Sequence, residues 1–264
     1  MRRLVRRLYY WPIDFYEGII GKRDALTPPK GKIFIGPGDF KTIGEKLKYD
    51  FIHYGGLKHG HHVLDIGCGI GRIAIPLTSY IDKTGSYNGF DVVKEGIEWC
   101  QKKISPQYSN FTFKHVNLHN DLYNIEDAES ASEFIFPYED ESFDFVILTS
   151  VFTHMQAKEV ENYLKEISRV MKKEAICFAT FFIIDQESNE YLKKSAQPFF
   201  PFEYDNYFLH DENVKDANIA YKIEFLEQLL SQTELKIDSK HPGWWAGREK
   251  LDCVDFQDVL LLKK

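Results

Sequence analysis

The chain has 264 residues, with 33 basic against 40 acidic side chains and a formal net charge of −7. Hydrophobic residues make up 44% and aromatic ones 15%, which excludes long disordered tracts and suits one large domain, or a domain with a modest appendage. The acidic balance argues against general nucleic-acid or anionic-membrane binding while leaving room for a local basic patch.

The first stretch carries Arg2, Arg3, Arg6 and Arg7 between Leu4, Val5, Leu8 and Tyr9. It reads either as an amphipathic helix for a partner or membrane surface, or as a solvated cap helix. Pro12, Asp14 and Glu17 then interrupt the apolar residues, so a signal-peptide core is not expected and the cytoplasm is the expected compartment. No apolar run reaches the ~18 to 20 residues of a membrane span. Proline and glycine punctuation (Pro28, Pro29, Gly31, Gly36, Pro37, Gly38) marks residues 1–56 as a cap on the core.

From about residue 61, short apolar runs alternate with helical patterns. His62–Ile66 reads as a buried strand, 71–80 as a helix after a glycine turn, and Ser86–Asp91 as a second strand. Val93, Ile97, Cys100 and Ile104 keep helical spacing, and 111–116 and 143–149 are the next two strands. Thr153 with Gln156 fits a capping box, and Val160, Leu164, Ile167 and Met171 mark one helix face. A fifth strand covers 175–184, a helix 221–230, and two closing strands 235–239 and 254–262. The alternation predicts a doubly wound α/β domain over 57–264, with a mostly parallel seven-stranded sheet and helices on both faces. Residues 185–218, rich in Phe and Tyr and containing Pro198 and Pro201, do not fit the alternation and read as a lid-like insertion. Cys68, Cys100, Cys177 and Cys253 form no CxxC pair and are expected to be reduced. His59, His61 and His62 lack companion ligands, so no metal is expected.

Val63-Leu64-Asp65-Ile66-Gly67-Cys68-Gly69-Ile70-Gly71-Arg72 carries the most information. It runs strand, glycine turn, helix, the place where open α/β sheets bind ligands. Glycines there let the backbone approach a ligand, and the helix start offers free amide donors. The third glycine of a dinucleotide fingerprint would fall at Arg72, and Asp65 would repel a pyrophosphate, so the pattern points away from NAD. A carboxylate at Asp65 suits a cationic amine, and Asp91, ending the second strand, can accept from both hydroxyls of a ribose. An ammonium and a ribose together describe S-adenosyl-L-methionine.

The chain resembles the class I S-adenosylmethionine-dependent methyltransferases over residues 57–264. VLDIGCGIGR is similar to that family's first motif, GFDVV to its acidic second motif, and FPYEDESFDFVIL to the stretch into its fourth strand. The resemblance implies a Rossmann-like methyltransferase fold in which Asp65, Gly67, Cys68 and Gly69 hold the methionine end. It places Asp91 and Val92 at the ribose and adenine, Asn117 and Leu118 at the adenine edge, and Ser150 close to the methionine moiety. Asn117 stands where relatives usually have an aspartate, and 172–175 where they have a glycine turn. More narrowly, the GDF at 38–40, the SVFTHM at 150–155 and Gln257-Asp258 resemble bacterial methyltransferases of glycan or secondary-metabolite synthesis.

The expected reaction is methyl transfer to a small molecule, with a hydroxyl of a sugar or related metabolite as acceptor and His154 as the base that takes its proton. Carbon or nitrogen methylation of a small aromatic or amine, with His154 dispensable, is the alternative. A non-catalytic cofactor-binding partner subunit of the same fold is another. Thr149-Ser150-Val151-Phe152 stands where enzymes acting on amide or nucleobase nitrogen have Asn-Pro-Pro-Tyr, so a nucleic-acid partner is not expected. The aromatics of the insertion, with Trp244 and Trp245, either cover the acceptor or pack against the core.

Overall fold

A computed structural model describes residues 2–36, 38–118, 130–194, 199–214 and 217–264; Pro37 and Pro198 lie outside them. In chain order the elements are α1 (Arg2–Ile19), α2 (Phe40–His53), β1 (His62–Ile66), α3 (Ala74–Leu77), β2 (Ser86–Asp91), α4 (Lys94–Lys103), β3 (Phe111–His115) and β4 (Phe143–Leu148). They continue with α5 (Ala157–Val170), β5 (Met171–Phe181), β6 (Ile183–Ile184), α6 (Gln186–Leu192), β7 (Phe202–Glu203), β8 (Tyr207–Leu209), β9 (Ile219–Lys222), α7 (Ile223–Leu230), β10 (Lys236–His241) and β11 (Asp258–Lys263).

The main sheet has seven strands in the order β10-β11-β5-β4-β1-β2-β3. The run from β5 to β3 is parallel, and β11 lies antiparallel to both its neighbours. Side chains alternate across a strand. Leu64, Ile66, Val146 and Leu148 therefore bury against α5 and α7, while Val63, Phe145 and Ile147 bury against α2 and α4. Two apolar layers, one on each face, hold the sheet as the alternating pattern predicts. The chain leaves β1 for β2 and β3 on one side and returns to β4 on the other, so the switch in strand order falls at the carboxyl ends of β1 and β4.

Several boundaries differ from the sequence reading, each for a local reason. The helix expected at 71–80 contracts to α3, because Gly71 has φ of +85° and Pro76 brings no backbone donor. The helix expected to be capped by Thr153 begins three residues later. There the Glu159 carboxylate accepts the Gln156 N–H at 2.7 Å, whereas Thr153 sits in a separate 3-10 turn over Phe152–His154. Glu159 brings a full charge to the positive end of the helix, which a Gln at that place does not. The strand expected at 175–184 starts at Met171 and ends at Phe181, and Ile183–Ile184 passes to a second sheet in the order β6-β9-β8-β7. The insertion at 185–218 supplies α6, β7 and β8 to that appendage, and β9, at 219–222, takes the first two residues of the expected helix.

Asp258 joins the two sheets. Its carboxylate accepts the Ile183 N–H, the Gly243 N–H and the Trp245 indole N–H, each at 2.7 Å. Burial raises its carboxyl to about 6, against the three donors that favour its charged form. Asp258→Ala leaves three buried donors unpaired, at a cost of ~1 to 3 kcal/mol for the first of them alone. Urea unfolding should show at least that loss, with the midpoint falling and the native secondary structure kept.

Candidate functional site

A cavity of about 300 Å³ opens at the carboxyl ends of β1, β2 and β4. This is the small end of the range for small-molecule pockets. Its floor is the glycine turn after β1, one wall is Phe90 to Val93, and another is Thr149, Ser150, Val151 and His154. Leu118, Ala131, Met155, Glu159 and Tyr163 close one end, and Phe34, Ile35 and Gly36 close the turn from above.

The turn can be built only from glycine. Gly67 has φ of +77°, and a Cβ there would come within 2.5 Å of the Val151 Cγ2. Gly69 has φ of +58°, and a Cβ there would face the Ile35 Cγ2 at 3.1 Å. The backbone of Gly67 and Cys68 is tied down from below, both N–H groups donating to the Phe90 carbonyl at 2.9 and 3.1 Å. Asp91 holds the far side: one carboxylate oxygen accepts the Gly69 N–H at 2.7 Å, and the other accepts the Val93 N–H at 2.7 Å, one residue before α4. A carboxylate offers about four acceptor sites, so these two donors do not exhaust it.

Asp65 has a different place from the one the motif suggests. Asp65 is fully buried and off the cavity wall, because it follows Val63 onto the β1 face that packs under α2 and α4. Tyr87 donates its hydroxyl to one carboxylate oxygen, and the other, Oδ1, has no hydrogen-bond partner among the described residues. Burial raises its carboxyl to about 7; the Tyr87 hydroxyl pulls the other way, and the neighbouring Asp91 charge adds to the rise. Asp65 therefore lies beneath the turn, and its burial favours the protonated carboxyl.

Of the other sequence-predicted site residues, Gly67, Cys68, Gly69, Asp91, Val92, Leu118, Ser150 and His154 line the cavity together. Asn117 is exposed and off its wall. Ser150 has φ of +57°, a conformation costly for a residue with a side chain. It is held there by its N–H donating to the Thr180 Oγ1 at 2.8 Å and its hydroxyl donating to the Gln257 Oε1 at 3.1 Å. Thr180 in turn donates to the same Gln257 oxygen at 2.6 Å.

Sequence reasoning did not find Arg72, Phe34, Ile35 or Tyr163, all on the wall. The fingerprint comparison had singled out position 72, but only as the place of a missing glycine. Of the two readings of the insertion aromatics, packing describes Phe199 and Phe200. Phe199 and Phe200 pack with Phe182, Trp245 and Phe256 in a cluster of their own, and none of these five is on the cavity wall. His210 bonds the Phe199 carbonyl, His241 lies against Tyr54, and His59 bonds the Tyr80 carbonyl.

Residues 64–179 match the model of a methyltransferase domain. A demethylmenaquinone methyltransferase of Lactobacillus johnsonii is 26% identical over 207 residues, which cover 78% of this chain and 72% of that protein. The crystal structure of an S-adenosylmethionine-dependent methyltransferase from Methanosarcina mazei has the same fold, at a TM-score of 0.53 and 24% identity, over 81% of this chain and 96% of that one. Residues 64–179 are thus a methyltransferase domain, in a chain with the fold of the S-adenosylmethionine-dependent methyltransferases. A tRNA N(3)-cytidine methyltransferase of Gallus gallus is 26% identical to it over 136 residues, and the chain spans about a third (32%) of that protein's length.

The residues present fit the methyltransferase cofactor. The turn is crowded at Gly67 and Gly69, the Asp65 oxygen beneath it has no partner among the described residues, and Asp91 is on the cavity wall. Gly67→Ala puts a methyl group against Val151 in a left-handed turn, and calorimetry should then find S-adenosylmethionine binding lost from a folded protein. The native state holds a proton on Asp65 that the unfolded chain releases near pH 4. Its contribution to stability is thus largest below about 4 and falls as pH rises to about 7. Thermal unfolding of Asp65→Asn should show a flatter decline across that window than the wild type.

Proposed function

We propose that this methyltransferase transfers a methyl group to a hydroxyl of a small molecule, a sugar or related metabolite, with His154 as the base. The observation that carries the reading is the place of His154: a cavity-wall imidazole in the turn after β4, and the one histidine among the described wall residues. Bound S-adenosylmethionine supplies a methyl group already activated by a sulfonium. In the proposed arrangement the backbone of Gly67, Cys68 and Gly69 holds the methionine end, with Ser150 beside it. Asp91 meets the ribose, and Val92 and Leu118 flank the adenine.

The remaining work of the chain is to position the acceptor and exclude water, because an in-line displacement gains most from geometry. An imidazole suits removal of a hydroxyl proton as the new bond forms. A nucleic-acid acceptor, as named for the tRNA-modifying relative, fits poorly with a net charge of −7. Three buried free thiols, Cys68, Cys100 and Cys177, suit a reducing compartment, and we take the cytoplasm to be the site of action.

The test is an acceptor screen that starts with sugars, run on the wild type, His154→Gln and His154→Ala with cofactor binding measured in parallel. With a hydroxyl acceptor, kcat should fall by roughly 100-fold or more in both variants while binding is kept. Unchanged turnover would remove the base role and favour a nitrogen or carbon acceptor, which needs no strong base.

A further inference from the structure

Helix α1 is turned inside out relative to an ordinary surface helix. Its polar stripe faces the protein. The Asp14 carboxylate accepts the Lys30 N–H at 2.6 Å and the Gly31 N–H at 2.9 Å, and Glu17 pairs with the Lys30 ammonium at 2.6 Å. Arg7 pairs with Glu95 in the first turn of α4, and the Arg6 Nε donates to the Lys30 carbonyl at 3.1 Å. These contacts anchor the helix on the 3-10 turn Lys30–Lys32. The apolar residues are left facing outward. Leu4, Leu8, Trp11, Phe15 and Ile19 recur at the spacing of one helix face, with Val5, Tyr9 and Tyr16 on the adjoining one. All eight are more than half exposed, Leu8 at 68%, Trp11 at 64% and Ile19 at 69%. A continuous aliphatic and aromatic face of this kind marks an interaction surface.

We propose that α1 seats this methyltransferase on the headgroup layer of an anionic phospholipid bilayer, lying in its plane with the Leu4–Leu8–Trp11–Phe15–Ile19 face in the acyl boundary. Charge selects this occupant. Residues 1–32 hold eight basic and three acidic side chains, a net of +5 within a chain of −7, so the other residues carry −12. An anionic surface attracts this one end of the molecule and repels the rest, which orients it. A second copy of the chain would bring the same positive charge to the same face. Trp and Tyr among aliphatics, flanked by arginines, are the composition that settles at the headgroup boundary. The helix lies on the bilayer and does not cross it: no helix of the described residues is long and apolar enough to span, and Asp14 and Glu17 are committed to the protein. The turn that α1 rests on leads through Ile33 into Phe34, Ile35 and Gly36 of the cavity wall, so the docked helix holds that wall near the surface.

The test is co-sedimentation of the full chain with vesicles of phosphatidylcholine alone and of phosphatidylcholine mixed with phosphatidylglycerol. Binding to the mixed vesicles should exceed binding to the neutral ones by at least about tenfold and weaken as salt is raised. The double variant Leu8→Glu, Phe15→Glu changes exposed residues only; it should stay in the supernatant and still bind S-adenosylmethionine, which shows that it is folded. Trp11→Phe should sediment as the wild type does but lose the tryptophan blue shift seen on vesicle addition. A wild type that ignores anionic vesicles, or a double variant that still sediments with them, overturns the proposal. A wild-type dimer that ignores vesicles and becomes monomeric in the double variant would assign the face to a second copy instead.

Discussion

The carboxylate of Asp91 ties the glycine turn after β1 to the residue that leads into α4, one oxygen taking the Gly69 N–H and the other the Val93 N–H. Two neighbouring parallel strands end side by side, and each must turn away without leaving buried donors unpaired. A single acidic side chain at the end of β2 meets both needs. It fixes the path of the turn, and with it the floor of the cavity, from a place on the cavity wall. Remove the charge and both the turn and the start of α4 lose an anchor at once.

The opposite wall depends on a second polar chain. Ser150 leaves β4 in a left-handed conformation, held by Thr180 on β5 and by Gln257 just before β11. Tyr221 of β9 donates its hydroxyl to the Met155 carbonyl at 2.5 Å, so the small second sheet also braces the wall. Asp258, one residue beyond Gln257, takes three N–H donors from the β6 side and the Trp245 turn. Two adjacent residues near the end of the chain thus lock the cavity wall and the appendage to the same strand. The cavity is bounded by interactions that cross between strands far apart in sequence, which makes its shape a property of the whole sheet.

Much of this was legible in the sequence. The short apolar runs HVLDI and FDFVIL marked the central strands with their observed starts, because a strand buried on both faces is apolar almost throughout. The glycines at 67 and 69 and the acid at 91 marked the turn, since only those residue types solve its backbone problem. What the sequence hid was the direction of single side chains. Asp65 belongs to the motif, yet strand alternation sends it beneath the turn to Tyr87 and away from the opening. Gln257 and Asp258 could be seen only as part of a resemblance, because Ser150, Thr180 and Ile183, which they hold, lie 75 and more residues away. The outward apolar face of α1 was hidden in the same way. An amphipathic pattern states that a helix has two faces, and only the contacts of Asp14 and Glu17 decide which one turns inward.

The central claim is that the Asp91-anchored glycine turn is the seat of S-adenosylmethionine. Calorimetric titration of the wild type and of Asp91→Ala with S-adenosylmethionine tests it most directly, with NAD as the control ligand. The account predicts saturable binding to the wild type that is weaker in Asp91→Ala by ~1 to 3 kcal/mol, the range for hydrogen bonds to a charged group, and no binding of NAD. A folded wild type that does not bind S-adenosylmethionine, or an Asp91→Ala protein that binds it as tightly, would contradict the account.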